Sequence, residues 1–173
     1  MAQSPHPLPP PGEPRYPVGN FAFHVSVKVV GAGGKELCNG GFAEVSGLEA
    51  TMEPKVVNVG GRNYGPLQLA GPVNFSTVVL KRGMTDVRDL WVWWSLFTGA
   101  DLQRTGKFAK ATSRCDVLVS LGGPDRNVLL TWRLENAMPI KFKAGDLTAR
   151  GTDVAIEELH LAHEGLRLEG GTI

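Results

Sequence analysis

Three tryptophans fall within four positions of the segment LWVWWSLF, residues 90–97. The stretch follows Thr85 and Asp86, which suit an N-cap and the positive end of a helix dipole. A helix is therefore predicted from there to about Phe97, stopping near Gly99. At about 100° per residue from Val87, Leu90, Trp91, Trp94 and Phe97 join Val87 on one stripe that would pack on the rest of the domain. Trp93 falls at the edge of that stripe, and Val92 and Leu96 fall on the far side. A helix that is apolar on opposite faces needs cover on both. A small domain with one helix covers one of them, so a loop, an N-terminal arm or a neighbouring subunit must cover the other.

The remainder reads as strands. In FAFHVSVKV, Phe21, Phe23, Val25, Val27 and Val29 alternate with Ala22, His24, Ser26 and Lys28, the period of a strand with one buried face. FAEVSGLEA and TMEPKVVNV read as further strands, with Pro54 marking an edge or an irregular point. Residues 60–72, GGRNYGPLQLAGP, read as a loop with four glycines and two prolines. VNFSTVVLKRG, RCDVLVSL and VLLTWRLEN read as strands, AMPIKF as a short extended piece, and DVAIEELHLAHEGLRLE as a last long strand. Many strands and one helix describe a mainly β fold, a small β-barrel or sandwich with one flanking α-helix. Residues 18–170 form that domain. Residues 1–17 hold seven of the twelve prolines and read as a Pro-rich N-terminal arm.

Composition excludes more than it selects. With 173 residues and a formal net charge of +1, nothing at whole-chain level marks a nucleic-acid or membrane-surface binder. Cys38 and Cys115 are too few for a disulfide framework and lack zinc-site spacing; buried free thiols and folding in a reducing cytoplasm are expected. The first residues show no Sec-type signal pattern, and no apolar run approaches the roughly 18 residues of a membrane span.

Motifs for catalysis fail on spacing. His160 and His163 in HLAHE do not form the H-E-x-x-H pattern, and on a strand they point to opposite faces. Glu157 and Glu158 are adjacent and would likewise face apart. GGRNYGP lacks the G-K-[ST] ending of a phosphate loop. No metal, cofactor or catalytic residue is expected. Lys81, Arg82, Arg104, Lys107 and Lys110 could form a basic patch, against the plainer reading of a solvated face.

Four blocks carry a family resemblance: GGFAEVSGLE (40–49), GGRNYGP (60–66), LKRGMTDVRDLWVW (80–93) and ENAMPIKFKAGDLTARGTDVAIEELHLAHEGL (135–166). In this order they resemble the tail tube proteins of contractile phage tails and related injection systems, over roughly residues 18–168. The resemblance implies a structural subunit, not an enzyme, with a fold similar to the ring-forming tube protein of type VI secretion. It implies hexameric rings with a continuous inner β-barrel, stacked into a hollow tube inside a contractile sheath. Implied partners are the sheath protein, baseplate and tape-measure proteins and a payload in the lumen, protein or DNA. Assembly would take place in the bacterial cytoplasm, into a virion or phage-tail-like particle, with no membrane anchor. A specialised single ring, either tube initiator or terminator, and an effector-carrying secreted ring are the alternatives. Residues 49–72 would form a long hairpin or loop reaching an adjacent ring, with Glu53, Lys55, Gly60, Gly61, Arg62, Asn63 and Tyr64 as inter-ring contacts. Val92, Trp93 and Leu96, on the outer face of the helix, would meet a neighbouring subunit.

Overall fold

The computed structural model describes residues 23–29, 36–99, 114–122, 127–147 and 154–170. The predicted arm and the predicted basic residues Arg104, Lys107 and Lys110 lie outside the described residues. The described elements are twelve strands and one helix. In chain order they are β1 (Phe23–Val29), β2 (Glu36–Gly40), β3 (Glu44–Ser46), β4 (Ala50–Met52), β5 (Lys55–Val57), β6 (Leu67–Leu69), β7 (Val73–Phe75), β8 (Val78–Gly83), α1 (Asp89–Thr98), β9 (Cys115–Gly122), β10 (Val128–Lys143), β11 (Ile156–Ala162) and β12 (Gly165–Glu169).

One antiparallel eight-stranded sheet forms the body, in the order β2-β1-β9-β10-β11-β8-β3, with β12 also on β10. The long strand β10 serves two halves. Its residues 131–135 pair with β9 and β12, while residues 138–143 pair with β11. The transition is a bulge: the β9 register shifts between Leu134 and Ala137, and Asn136 adopts φ 52°, a left-handed conformation that asparagine tolerates better than most residues. The bulge bends the strand, so one polypeptide run turns the corner between the halves. Asp116 Oδ1 accepts the Asn136 backbone N–H at 3.2 Å, and Asn136 Nδ2 donates to Glu164 Oε2 at 3.0 Å.

The C-terminal run predicted as one long strand breaks opposite that bulge. β11 and β12 flank the same β10 strand in succession, interrupted at His163–Glu164, where Glu164 N donates to Glu135 O. AMPIKF, predicted as a separate short piece, is the second half of β10.

The sheet is open. Its terminal strands β2 and β3 are sequence neighbours joined through Gly41–Ala43, so the sheet curls until they come close, yet no ladder joins them among the described residues. Phe42 is buried at this seam, and the Arg82 guanidinium carbon lies 5.7 Å from its ring centroid.

Inward-facing residues at period two form one core: Val25 and Val27, Val78 and Leu80, Val117 and Val119, Leu134, Leu159 and Leu161. Helix α1 packs on β10 and β2 and contributes Leu90 and Trp93. It starts at Asp89, three residues beyond the predicted start at Asp86. Thr85 caps a turn instead, accepting the Val87 N–H at 3.3 Å, and Arg88 is the N-cap without a side-chain cap bond. Gly99, at φ 69°, closes the helix as expected of a C-terminal glycine.

The helix also faces the core differently than predicted. The inward stripe is Leu90, Trp93, Trp94 and Phe97, about 45° from the predicted stripe. Trp93, expected on the outer face, is only 1% exposed and belongs to the subunit's own core. Trp91, expected to be buried, is 45% exposed, edge-on to Phe142 with ring centroids 5.3 Å apart. Val92 stays outside, 47% exposed.

Candidate assembly surfaces

Between β3 and β8 the chain leaves the body as a ribbon. β4 pairs with β7 (Met52 opposite Val73), and β5 pairs with β6 (Val57 opposite Leu67). The two pieces form separate two-stranded sheets, because Glu53-Pro54 on one side and Ala70–Pro72 on the other break the ladder. The backbones come together at that break: a Cβ on Gly71 would lie 1.8 Å from the Glu53 carbonyl oxygen, and Glu53 N donates to Pro72 O at 3.3 Å. Only glycine permits this approach. Residues 50–57, in extended form, span roughly 25 Å. Of the long hairpin or loop that the resemblance implies for residues 49–72, the structure forms the hairpin.

Its base is held. Ser76 N and Oγ donate to Glu49 O and Glu49 Oε2, each at 3.2 Å, and the Phe75 and His163 ring centroids are 5.2 Å apart. Its body and tip are not covered. Met52, Val56, Leu67, Leu69 and Val73 are exposed, and Tyr64 at the tip is 100% exposed. Gly61 and Gly65 take positive φ at the tip. Glu53, Lys55, Gly60, Gly61, Arg62, Asn63 and Tyr64, the predicted inter-ring residues, all sit on this ribbon; Gly65 and Val57 are the half-buried positions near its tip. A two-stranded ribbon exposing apolar side chains is marginal alone in water.

A second surface surrounds the exposed part of α1: Val87, Trp91 and Val92, with Leu96 half-buried.

The third is the outer face of the half-sheet β10-β11-β8-β3. Register places Lys143 opposite Glu158, Glu158 opposite Lys81, and Lys81 opposite Glu44. This row alternates in sign across four strands. Lys81 Nζ donates to Glu44 Oε1 at 3.0 Å, and Lys143 Nζ lies 3.8 Å from Glu158 Oε1. Sequence reading offered Lys81 and Arg82 as members of a basic patch, against the plainer reading of a solvated face. Lys81 is instead neutralised by Glu44, and Arg82, one residue on and facing inward, is buried. Adjacent strand residues point to opposite faces, so a KR pair on a strand cannot form one patch.

Arg82 is the centre of a buried ion cluster. Its Nε donates to Glu157 Oε1 at 2.5 Å, its Nη1 to Asp89 Oδ2 at 3.1 Å and its Nη2 to Val87 O at 3.3 Å; Nη2 also pairs with Asp89 Oδ1. Nη1 lies 3.7 Å from Cys38 Sγ. The cluster ties β8, β11, β2 and the start of α1 together. Burial alone would lower the Arg82 pKa, but hydrogen bonds to Asp89 and Glu157 outweigh it and raise it. Burial would likewise raise the Asp89 carboxyl, and the Arg82 and Cys38 hydrogen bonds outweigh it and hold it below its ordinary value. Burial, then the neighbouring Asp89, pushes the Cys38 thiol up to about 12; burial, then Asp116, pushes Cys115 up to about 12 as well.

His160 lies on β11 with Nε2 3.5 Å from Glu158 Oε2, and His163 sits at the break after β11 with Nδ1 3.0 Å from Gly165 O. Among the described residues no group of three His, Cys, Asp or Glu could hold a metal ion. Glu157 faces inward to Arg82 and Glu158 outward to the charged row. No described helix is long and apolar enough to cross a membrane.

The fold has counterparts among known proteins. The sequence profile of the family described as T4-like virus tail tube protein gp19 matches residues 19–167. This chain belongs to that tail tube family. Among solved structures, a chain of the anti-feeding prophage (AFP) baseplate, 6-fold symmetrised, is similar at 26% identity and TM-score 0.70, covering 90% of this chain and 97% of that one. A chain from the sheath-tube complex of an extracellular contractile injection system, PVC, in its extended state, shares the fold at 20% identity and TM-score 0.70, covering 90% and 93%. A chain of the PVC sheath/tube terminator shares it at 21% identity and TM-score 0.70, covering 90% and 99%. No curated protein matches the sequence.

Proposed function

We propose that this protein is the inner-tube subunit of a contractile injection system or phage tail. Six copies form a ring, and rings stack into a hollow conduit driven through a target envelope when a surrounding sheath contracts. The observation that carries this reading is the protruding hairpin 50–75, apolar and uncovered, on a fold of the tail tube family. Stacking gives that ribbon a partner: Glu53, Lys55, Gly60, Gly61, Arg62, Asn63 and Tyr64 contact the adjacent ring. Val92 and Leu96 meet a neighbouring subunit, whereas Trp93 does not. The role is structural and uses no cofactor. The sheath protein, baseplate and tape-measure proteins and a lumen payload are its partners, and the tube is assembled in the bacterial cytoplasm.

Negative-stain micrographs of the concentrated protein test this reading, with rings or tubes of even diameter expected. A protein that stays monomeric at high concentration, with or without its assembly partners, contradicts it.

A second reading takes its cue from the baseplate and terminator chains, which share the fold at the same TM-score, 0.70, as the sheath-tube chain. In that reading the protein forms one specialised ring that starts or ends the tube. Such a protein forms hexamers that do not polymerise alone.

A further inference from the structure

The inner face of the half-sheet β1-β9-β10-β12 outruns the core. Register sets Val25, Val119, Trp132 and Leu168 in one inward row across the four strands. The next row, away from the core, is Phe23, Leu121 and Leu130. Cover thins along the first row: Val25 and Val119 are buried, Trp132 is half-buried, and Leu168 is 57% exposed. Leu121 and Leu130 are half-buried and lie outside the core cluster. Val128, two residues before Leu130, is exposed. The sheet therefore ends in an open apolar corner around Trp132.

The chain enters the domain at this corner, since Phe23 begins β1 directly opposite Leu121. Residues 1–22 lie outside the described residues, and the tail tube profile starts at residue 19. The run just ahead of it, PRYPV (14–18), is thus additional to the part of the chain that the profile matches. Its composition suits the corner. Prolines favour an extended polyproline run that cannot pair as a strand, and such runs dock on aromatic, apolar surfaces. Gly19 and Asn20, between this run and β1, are residues that turns favour, so the chain can reverse over the sheet. The reach also fits. Five residues in polyproline form span about 15 Å, and the three interstrand spacings from β1 to β12 come to about 14 Å.

We infer that residues 14–18 fold back over their own subunit and cover this corner, with Tyr16 against Leu130 and Trp132 and Pro14 against Leu168. The inference goes beyond the tube reading and does not depend on ring formation. Removing the exposed face of Leu168 and the open side of Trp132 from water gives the run its hold. The cover has a second effect. Among the described residues no strand pairs with the far side of β12, and prolines laid beside a free edge keep other chains from pairing with it.

Photo-cross-linking of the full chain tests the inference. Tyr16 is replaced by benzoylphenylalanine, which keeps an aromatic ring, and equal unlabelled and ¹⁵N-labelled chains are co-assembled before irradiation. Same-isotope links from position 16 to peptides carrying Trp132 or Leu168 support the inference. Links to those peptides only between isotopes mean that a neighbouring copy's arm fills the corner, and overturn it. Links only to other peptides, or none, overturn it as well. Trypsin gives an independent reading, because Arg15 lies in the docked run. Cleavage after Arg15 should be about tenfold slower in the wild type than in Leu168→Asp, since cleavage of a docked run tracks its open population. Equal rates in the two folded proteins overturn the inference. Folding of the variant is checked by circular dichroism, and if it does not fold the cross-links decide. None of these readouts requires rings, so the tube reading stands or falls separately.

Discussion

Arg82 on β8 lies directly opposite Glu157 on β11, and their side chains meet inside the subunit at 2.5 Å while Asp89, the first residue of α1, closes on the same guanidinium. One cation therefore serves two carboxylates from different elements. Removing it leaves two buried acids facing each other, so Arg82→Met should destabilise the subunit by about 3–5 kcal/mol in urea unfolding. Arg82→Lys should recover little, since one ammonium cannot reproduce the fork. Wild-type stability within a few tenths of a kcal/mol for Arg82→Met would contradict the role.

The same cluster sets a pH dependence. The Asp89 carboxyl is depressed in the folded state. Its contribution is present above the unfolded carboxylate pKa, roughly 4, and is lost as pH falls through the folded value. Asp89→Asn should therefore flatten the acid limb of the stability curve below about pH 4 and leave its shape unchanged from pH 6 to 8.

Burial of both thiols predicts chemical silence. With pKa values pushed up to about 12, Cys38 and Cys115 hold on the order of one part in ten thousand as thiolate at pH 8. A thiol-specific chromogenic reagent should titrate neither in native protein and both after unfolding. Fast reaction at either site in native protein would show that its strand opens.

Glycine positions separate strain from collision. Gly47 and Gly61 have φ of 84° and 81°, but a Cβ at Gly47 would lie 2.1 Å from the Thr77 carbonyl oxygen whereas Gly61 has open space. Gly61→Ala should cost about 1 kcal/mol of local strain. Gly47→Ala should cost clearly more, because the backbone at the start of β8 must also move. Equal melting temperatures for the two variants would contradict this difference.

Much of this architecture was legible. The alternation through Val25, Val27, Leu159 and Leu161 announced strands with one buried face, and the ordered blocks from GGFAEVSGLE onward carried the family. Helix orientation was not legible, because the sequence is apolar nearly all round and the inward face is chosen by packing against the core. Leu90 and Trp93 are buried there, while Asp89 at the helix start is held by Arg82. The corner at Asn136 was also hidden, since a bulge is defined by the register of two strands, which no single segment encodes. The ribbon 50–75 was half legible: its glycines marked mobility or turns, but pairing across Pro54 and Gly71 depends on a backbone approach that only coordinates display.

The corrected helix changes the mutational expectation. Trp93→Ala should cost about 3–5 kcal/mol and threaten folding itself. Val92→Asp should leave the monomer's unfolding curve nearly unchanged and weaken assembly. The opposite pattern, with assembly lost at full subunit stability for Trp93→Ala, would restore Trp93 to the outer face.

The claim on which the account depends is that the exposed hairpin joins one ring to the next. The direct measurement is electron microscopy of the wild-type protein beside a variant in which residues 58–66 are replaced by a short Asn-Gly turn, with subunit folding checked by circular dichroism. The account predicts tubes for the wild type, and single rings that no longer stack for the shortened chain. Tubes of unchanged length from the shortened chain, or a folded wild-type protein that forms neither rings nor tubes, would contradict it.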